Sequence, residues 1–233
     1  MSKVAAAGQL TTVVIPVYEE VTHLDFTVPH QFLSMVPDIS VTIASVGGIP
    51  VSSQGLSFNK LANLELLDTC DVLLVPGGLG CIQAMEDTRF MAAISRLASK
   101  ATYITSVCSG SLILGAAGLL KGHRSACHWA WRSMLPDFGA IPDAGRIVRD
   151  GNILTGGGVT AGADFSLALI AELCGPEVAQ AVQLILEYAP APPFNAGRPE
   201  TAPAGIVESV TAQMEALLGD GRKKVKTIAS RLK

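Results

Sequence analysis

The chain has 233 residues, 49% apolar and 16% charged, and its 17 basic and 20 acidic side chains leave a formal charge of -3 at pH 7. That length suits one large domain or two small ones. It allows roughly 70% of the unfolded surface to be buried, so a core needs neither disulfides nor structural metal. Charge this sparse and balanced excludes nucleic acid or an anionic membrane as partner of the whole surface, because both demand a basic excess.

Residues 1–10 lack a basic segment followed by a long apolar one, so no signal peptide is expected and the expected compartment is the cytoplasm. Residues 11–17 (TTVVIPV) read as a fully buried strand, apolar and β-branched without alternation. A helix is expected over 25–36 and a short strand over 41–44. Residues 71–76 (DVLLVP) form a second buried-strand pattern, followed by a helical one over 81–99. A third strand, 101–107 (ATYITSV), runs directly into Cys108-Ser109-Gly110-Ser111 and a helix over 109–117. The longest apolar stretch, 111–120, falls far below the roughly 18 residues of a bilayer span.

A helix is expected over 128–135, and strands at 147–149 and 152–154 flank a hairpin turn at Asp150-Gly151. Helices follow over 160–173 and 176–188, the latter opened by Pro176, whose missing N–H costs nothing there. Strands alternating with helices of this length imply a mostly parallel sheet covered on both faces. The proline-rich run 189–203 is neither helix nor central strand, and either packs on the domain or links to a partner. Residues 204–233 read as a helix interrupted at 219–221, with Arg222, Lys223, Lys224, Lys226, Arg231 and Lys233 forming a solvated basic face.

In open parallel sheets, ligands bind beyond the carboxyl ends of the strands. Three distinctive segments fall there: Pro76-Gly77-Gly78, Val107-Cys108-Ser109-Gly110, and the run from Thr155 through Gly156, Gly157, Gly158 and Val159 to Thr160. The five cysteines (Cys70, Cys81, Cys108, Cys127, Cys174) include no CxxC pair, which points to neither a disulfide framework nor a zinc site. Cys108 differs from the others because it sits where a strand turns sharply into a helix among small residues, the geometry of nucleophiles on strand-to-helix elbows. A helix N-terminus there is expected to lower its thiol pKa from about 8.5 towards 7. The N–H groups of Gly78 and Cys108 are candidates for an oxyanion-type hole.

The four histidines are His23, His30, His123 and His128, and position 109 is Ser, which argues against a Cys/His hydrolase with the base beside the nucleophile. Asp25, in an apolar stretch after the first strand, is either a helix N-cap or a desolvated carboxyl with a raised pKa that holds a proton for transfer. Thr160 and Asp164 are expected to begin the helix that follows them.

These residues resemble the ThiJ/PfpI superfamily over about residues 11–205. The resemblance rests on Leu24-Asp25, Pro76-Gly77-Gly78, Val107-Cys108-Ser109-Gly110-Ser111, Cys127-His128-Trp129 and the glycine run from Thr155 to Gly162. Asp at position 25 in place of the superfamily's usual Glu, with the tail from Leu186 to Asn195, is most similar to the isocyanide hydratase branch. The resemblance implies a flavodoxin-like three-layer α/β sandwich, a homodimer, no metal and no cofactor. It implies hydration of a small apolar isocyanide to an N-formamide through a thioimidate on Cys108, with Asp25 as general acid and base. Gly78, Ser109, Gly157 and Val159 would line the substrate or oxyanion pocket, and residues 206–233 would be a helical extension of a domain spanning 1–205. Val28 stands where the family pattern has Gly, and Ser109 where it commonly has Thr. Two other readings compete: a regulatory sensing domain of the transcription-regulator type, and a redox-responsive protein whose Cys108 oxidises.

Overall fold

The computed structural model describes residues 10–232. The segment read for a signal peptide therefore lies outside the described residues except for Leu10, as does Lys233. Strand β1 (Thr11–Pro16) leads into α1 (His23–Leu33), and β2 (Ile39–Ser45) returns beside it. A hairpin of β3 (Val51–Ser53) and β4 (Leu56–Phe58) and the short β5 (Ala62–Asn63) precede β6 (Val72–Val75). Next come α2 (Cys81–Glu86), α3 (Thr88–Ala98), β7 (Tyr103–Val107), α4 (Gly110–Ala116) and β8 (Arg124–Ser125). A 3-10 segment (Arg132–Phe138), β9 (Ile141–Pro142), β10 (Ile147–Asp150) and β11 (Ile153–Gly156) follow. Helices α5 (Ala161–Cys174), α6 (Pro176–Ile185), α7 (Ala204–Leu218) and α8 (Gly221–Ser230) complete the fold.

The central sheet has seven strands in the order β10-β11-β7-β6-β1-β2-β5. All neighbours are parallel except β10, which pairs antiparallel with β11 across the turn at Gly151. From β1 the chain moves outward to β2 on one side, and from β6 outward to β7 on the other. The order therefore reverses between β1 and β6, the place where ligands gather in doubly wound sheets. Right-handed crossovers in opposite directions put the connecting helices on opposite faces. On one side α5 packs with α1 and α6, and on the other α2 packs with α3, α4 and α8. Strands covered on both faces must be apolar throughout, and Val72, Leu73, Leu74 and Val75 of β6 are all fully buried. This is the expected flavodoxin-like sandwich.

Two local expectations are corrected. The helix expected over 81–99 is two helices, because Asp87 is extended (φ -77°, ψ 107°) and its side chain accepts from the N–H of Arg89 at 2.8 Å and of Phe90 at 3.2 Å, capping α3. The helix expected over 128–135 is a turn followed by the 3-10 segment, which contains Pro136 and ends at Gly139 in the left-handed region. The short β3, β4, β5, β8 and β9 carry little periodicity and had no counterpart in the sequence reading. The break at 219–221 is as expected, and α8 turns Val225, Ile228 and Ala229 inward against α2 and the 3-10 segment while its basic side chains face out. Among the described residues no helix is long and apolar enough to cross a membrane.

Candidate active site

The loop after β1 is stitched to the loop after β6. The Thr22 N–H donates to the Gly77 carbonyl at 2.9 Å, Val21 bridges Gly78, and the buried Tyr18 hydroxyl donates to the Pro76 carbonyl at 2.9 Å. This leaves room only for glycine. A Cβ on Gly77 would lie 2.4 Å from the Ser109 nitrogen, and one on Gly110 would lie 2.1 Å from the Val75 carbonyl oxygen. The close approach fixes the β7–α4 elbow against β6.

Cys108 is the elbow residue, with φ of +61°. A side chain in the left-handed region costs on the order of 1 kcal/mol or more and persists where surrounding structure enforces it. Here the Cys108 N–H donates to the carbonyl of Gly157 at 2.7 Å and of Gly156 at 3.1 Å, at the end of β11. The Gly78 N–H donates to Ser109 Oγ at 3.0 Å. Both N–H groups named as an oxyanion-type pair are thus engaged within the protein, and that pair forms no open hole. Ser109 is buried, its hydroxyl tied to the Gly78 loop, so it positions the elbow. Val28 is a half-buried residue of α1 packed on the core.

Asp25 lies in the first turn of α1 and is fully buried. It is not the N-cap. Thr22 holds that position, and the Asp25 side chain turns inward, where Oδ2 accepts the Gly77 N–H at 3.0 Å. Oδ1 has no hydrogen-bond partner among the described residues. Pro29, four residues on, has no N–H to give to the Asp25 carbonyl. Burial pushes the Asp25 carboxyl up to about 7, although the Cys108 thiol and the Gly77 N–H both favour its charged form.

Cys108 departs from the expected acidic thiol. Burial first, then the neighbouring Asp25 charge, pushes it well above the ordinary cysteine range, against the pull of the Ser109 N–H. The field of the short α4 is outweighed by desolvation. Asp25 and Cys108 therefore titrate as a coupled pair in which a second negative charge is strongly disfavoured. A thiolate at Cys108 is compatible with this site when the proton resides on Asp25. Two further buried thiols, Cys81 and Cys127, are likewise pushed up by burial, to about 12, so what sets Cys108 apart is its place at the elbow beside Asp25 and not its acidity.

Beside the elbow lies a cleft of about 210 Å3 whose wall includes Cys127, His128, Trp129, Gly157 and Val159. Gly157 and Val159 both line it. Cys108 and Asp25 do not line this cleft, but Gly157, whose carbonyl accepts the Cys108 N–H, does. His128 Nδ1 accepts the Ala130 N–H at 3.3 Å, and burial lowers the ring's pKa, which keeps it neutral. His123 pairs with Asp150 at 3.3 Å on the β10–β11 turn, away from the elbow. The proline-rich run is non-helical as expected and folds back on its own domain, since Gly197, Arg198, Pro199 and Glu200 close the cleft. Arg132, Arg146 and Arg198, also in the wall, escaped the sequence reading because no shared motif or spacing links them. Thr160 holds the N-cap position of α5, with no capping bond from its side chain, and Asp164 lies in the first turn, paired with Arg146. Among the described residues no cluster of three or more His, Cys, Asp or Glu side chains is arranged to hold a metal ion.

The chain is 49% identical over 192 residues to an isonitrile hydratase of Pseudomonas putida, covering 82% of this chain and 84% of that protein. A crystal structure of a ThiJ/PfpI family protein from Pseudomonas syringae superposes with a TM-score of 0.88 at 40% identity, over 94% of this chain and 90% of that one. An HTH-type transcriptional regulator of Pseudomonas aeruginosa is 31% identical over 141 residues, 59% of this chain and 41% of that protein. The DJ-1/PfpI family model matches residues 11–172. With that model covering more than half of the chain, the chain belongs to the DJ-1/PfpI family.

Proposed function

We propose that the protein hydrates isocyanides, R–N≡C, to N-formamides, with Cys108 as nucleophile and Asp25 as the proton-transferring group. The observation that carries the reading is the pairing of an elbow cysteine with a buried carboxyl raised to about 7. The 49% identity to the isonitrile hydratase supports the choice of substrate.

The terminal carbon of an isocyanide accepts both a nucleophile and a proton. In the reactive form of the pair Asp25 carries the proton and Cys108 is the thiolate. Sulfur bonds to the carbon while Asp25 delivers its proton to that same carbon, giving a thioimidate, R–N=CH–S–Cys, and an Asp25 carboxylate. The carboxylate then takes a proton from water as the water oxygen attacks the thioimidate carbon. Asp25 passes that proton to the nitrogen, the hydroxyl proton of the resulting intermediate moves to Asp25 as the C–S bond breaks, and R–NH–CHO leaves with the Cys108 thiolate and the protonated Asp25 restored. Splitting hydration in two this way is ordinary covalent catalysis, and one carboxyl serves both halves because it titrates near neutrality.

In the same reading residues 206–233 are an extension of the catalytic domain. The protein acts as a homodimer, in which a second copy covers the exposed Leu184, Ile185 and Phe194. The test is steady-state formation of the formamide from cyclohexyl isocyanide. Wild type is expected to turn over, Cys108→Ala to show none, and Asp25→Asn to lose at least a hundredfold. Equal turnover by Cys108→Ala, or none by wild type, would overturn it.

A further inference from the structure

The cleft beside the elbow carries more positive than negative charge. Arg132, Arg146 and Arg198 stand in its wall, and among the described residues that line it Glu200 is the one carboxylate. Arg146 is occupied, with Nε on Asp164 and a second nitrogen on the Thr160 carbonyl at 2.9 Å. Arg132 is not: its side chain is only 24% exposed, yet the exposed Glu200 approaches it no closer than 4.0 Å. Arg198 enters no ion pair among the described residues. A half-buried guanidinium without a carboxylate at hydrogen-bond distance offers two parallel N–H donors to a planar anion. Trp129 and Val159 supply apolar wall for a short hydrocarbon link, and Gly157 places the cleft one hydrogen bond from the Cys108 backbone.

We propose that Arg132, with Arg198 at the rim, binds a carboxylate on the substrate, so that the preferred substrates are isocyano carboxylic acids rather than wholly apolar isocyanides. The proposal rests on the hydratase reading for the reacting end and on the cleft alone for the other. The isocyanide carbon lies at Cys108, and the substituent runs past Gly157 and Val159 to the guanidiniums.

The experiment compares isocyanoacetate with its methyl ester in wild type, Arg132→Gln and Arg198→Gln, reading kcat/KM for formamide formation. Wild type is expected to favour the acid at least tenfold, and Arg132→Gln to bring that ratio close to one whatever loss both substrates share. In parallel, calorimetry compares N-formylglycine with its methyl ester, and the acid is expected to bind at least tenfold more tightly, an advantage lost in Arg132→Gln. Formamide production with no advantage of acid over ester in turnover or binding overturns this inference and leaves hydration standing. Binding of N-formylglycine that depends on Arg132, without turnover of either isocyanide, overturns hydration and upholds the anion subsite. An acid preference that survives in both arginine variants overturns the assignment to these residues.

Discussion

Asp25→Asn should stabilise the protein, and increasingly so as pH rises. Burial holds the native carboxyl at about 7, against 3.8 for an ordinary aspartate. Below about pH 3 the group is largely protonated in both native and unfolded chains and carries little penalty. As pH rises the unfolded chain loses its proton first while the buried site keeps its own, so native stability falls across this window and levels off above about 7. Each pKa unit is worth about 1.4 kcal/mol, so the whole window amounts to about 4 kcal/mol, and the span from pH 5 to pH 8 to about 3 kcal/mol. Asn keeps an acceptor for the Gly77 N–H and removes the charge. Urea unfolding of both proteins at pH 5 and pH 8 measures this. The variant should gain about 3 kcal/mol on wild type between the two. Stabilities that move in parallel, or a variant weakened at pH 8, would refute the claim that Asp25 is a strained, desolvated carboxyl.

The same substitution removes the charge that raises Cys108, so iodoacetamide should label Cys108 faster in Asp25→Asn than in wild type at pH 8 even as isocyanide turnover falls, followed by peptide mass spectrometry. Gly110→Ala places a Cβ on the Val75 carbonyl and should cost on the order of 1–3 kcal/mol or more, read as a lowered urea midpoint together with lost activity. Asp87→Ala removes the cap of α3, away from the elbow, and should cost about 1 kcal/mol by urea unfolding with kcat/KM unchanged.

What was legible in the sequence follows the range of the forces involved. Continuous apolar runs such as 72–75 specify doubly covered strands locally, and the strand, small residues and helix around Cys108 specify the elbow. The break at Asp87 was written in the sequence as Asp before a helical stretch, but the unbroken amphipathic pattern around it masked the cap. The state of the Cys108 thiol was not legible. It depends on burial and on Asp25, which lies more than eighty residues earlier and meets it only through the β1–β6 loop contacts. The arginine-lined cleft was hidden for the same reason, being assembled from the segments around 132, 146 and 198. Low overall charge suggested an apolar site, although charge averaged over a chain does not describe the few residues lining a cleft.

The most direct test of the account is a rapid-quench single turnover of cyclohexyl isocyanide in 18O-labelled water, with intact-protein and peptide mass spectrometry. The account predicts a transient adduct of the isocyanide's mass on Cys108 that decays as formamide carrying the heavy oxygen appears. Labelled formamide at the same rate from Cys108→Ala, with no adduct in wild type, would contradict it.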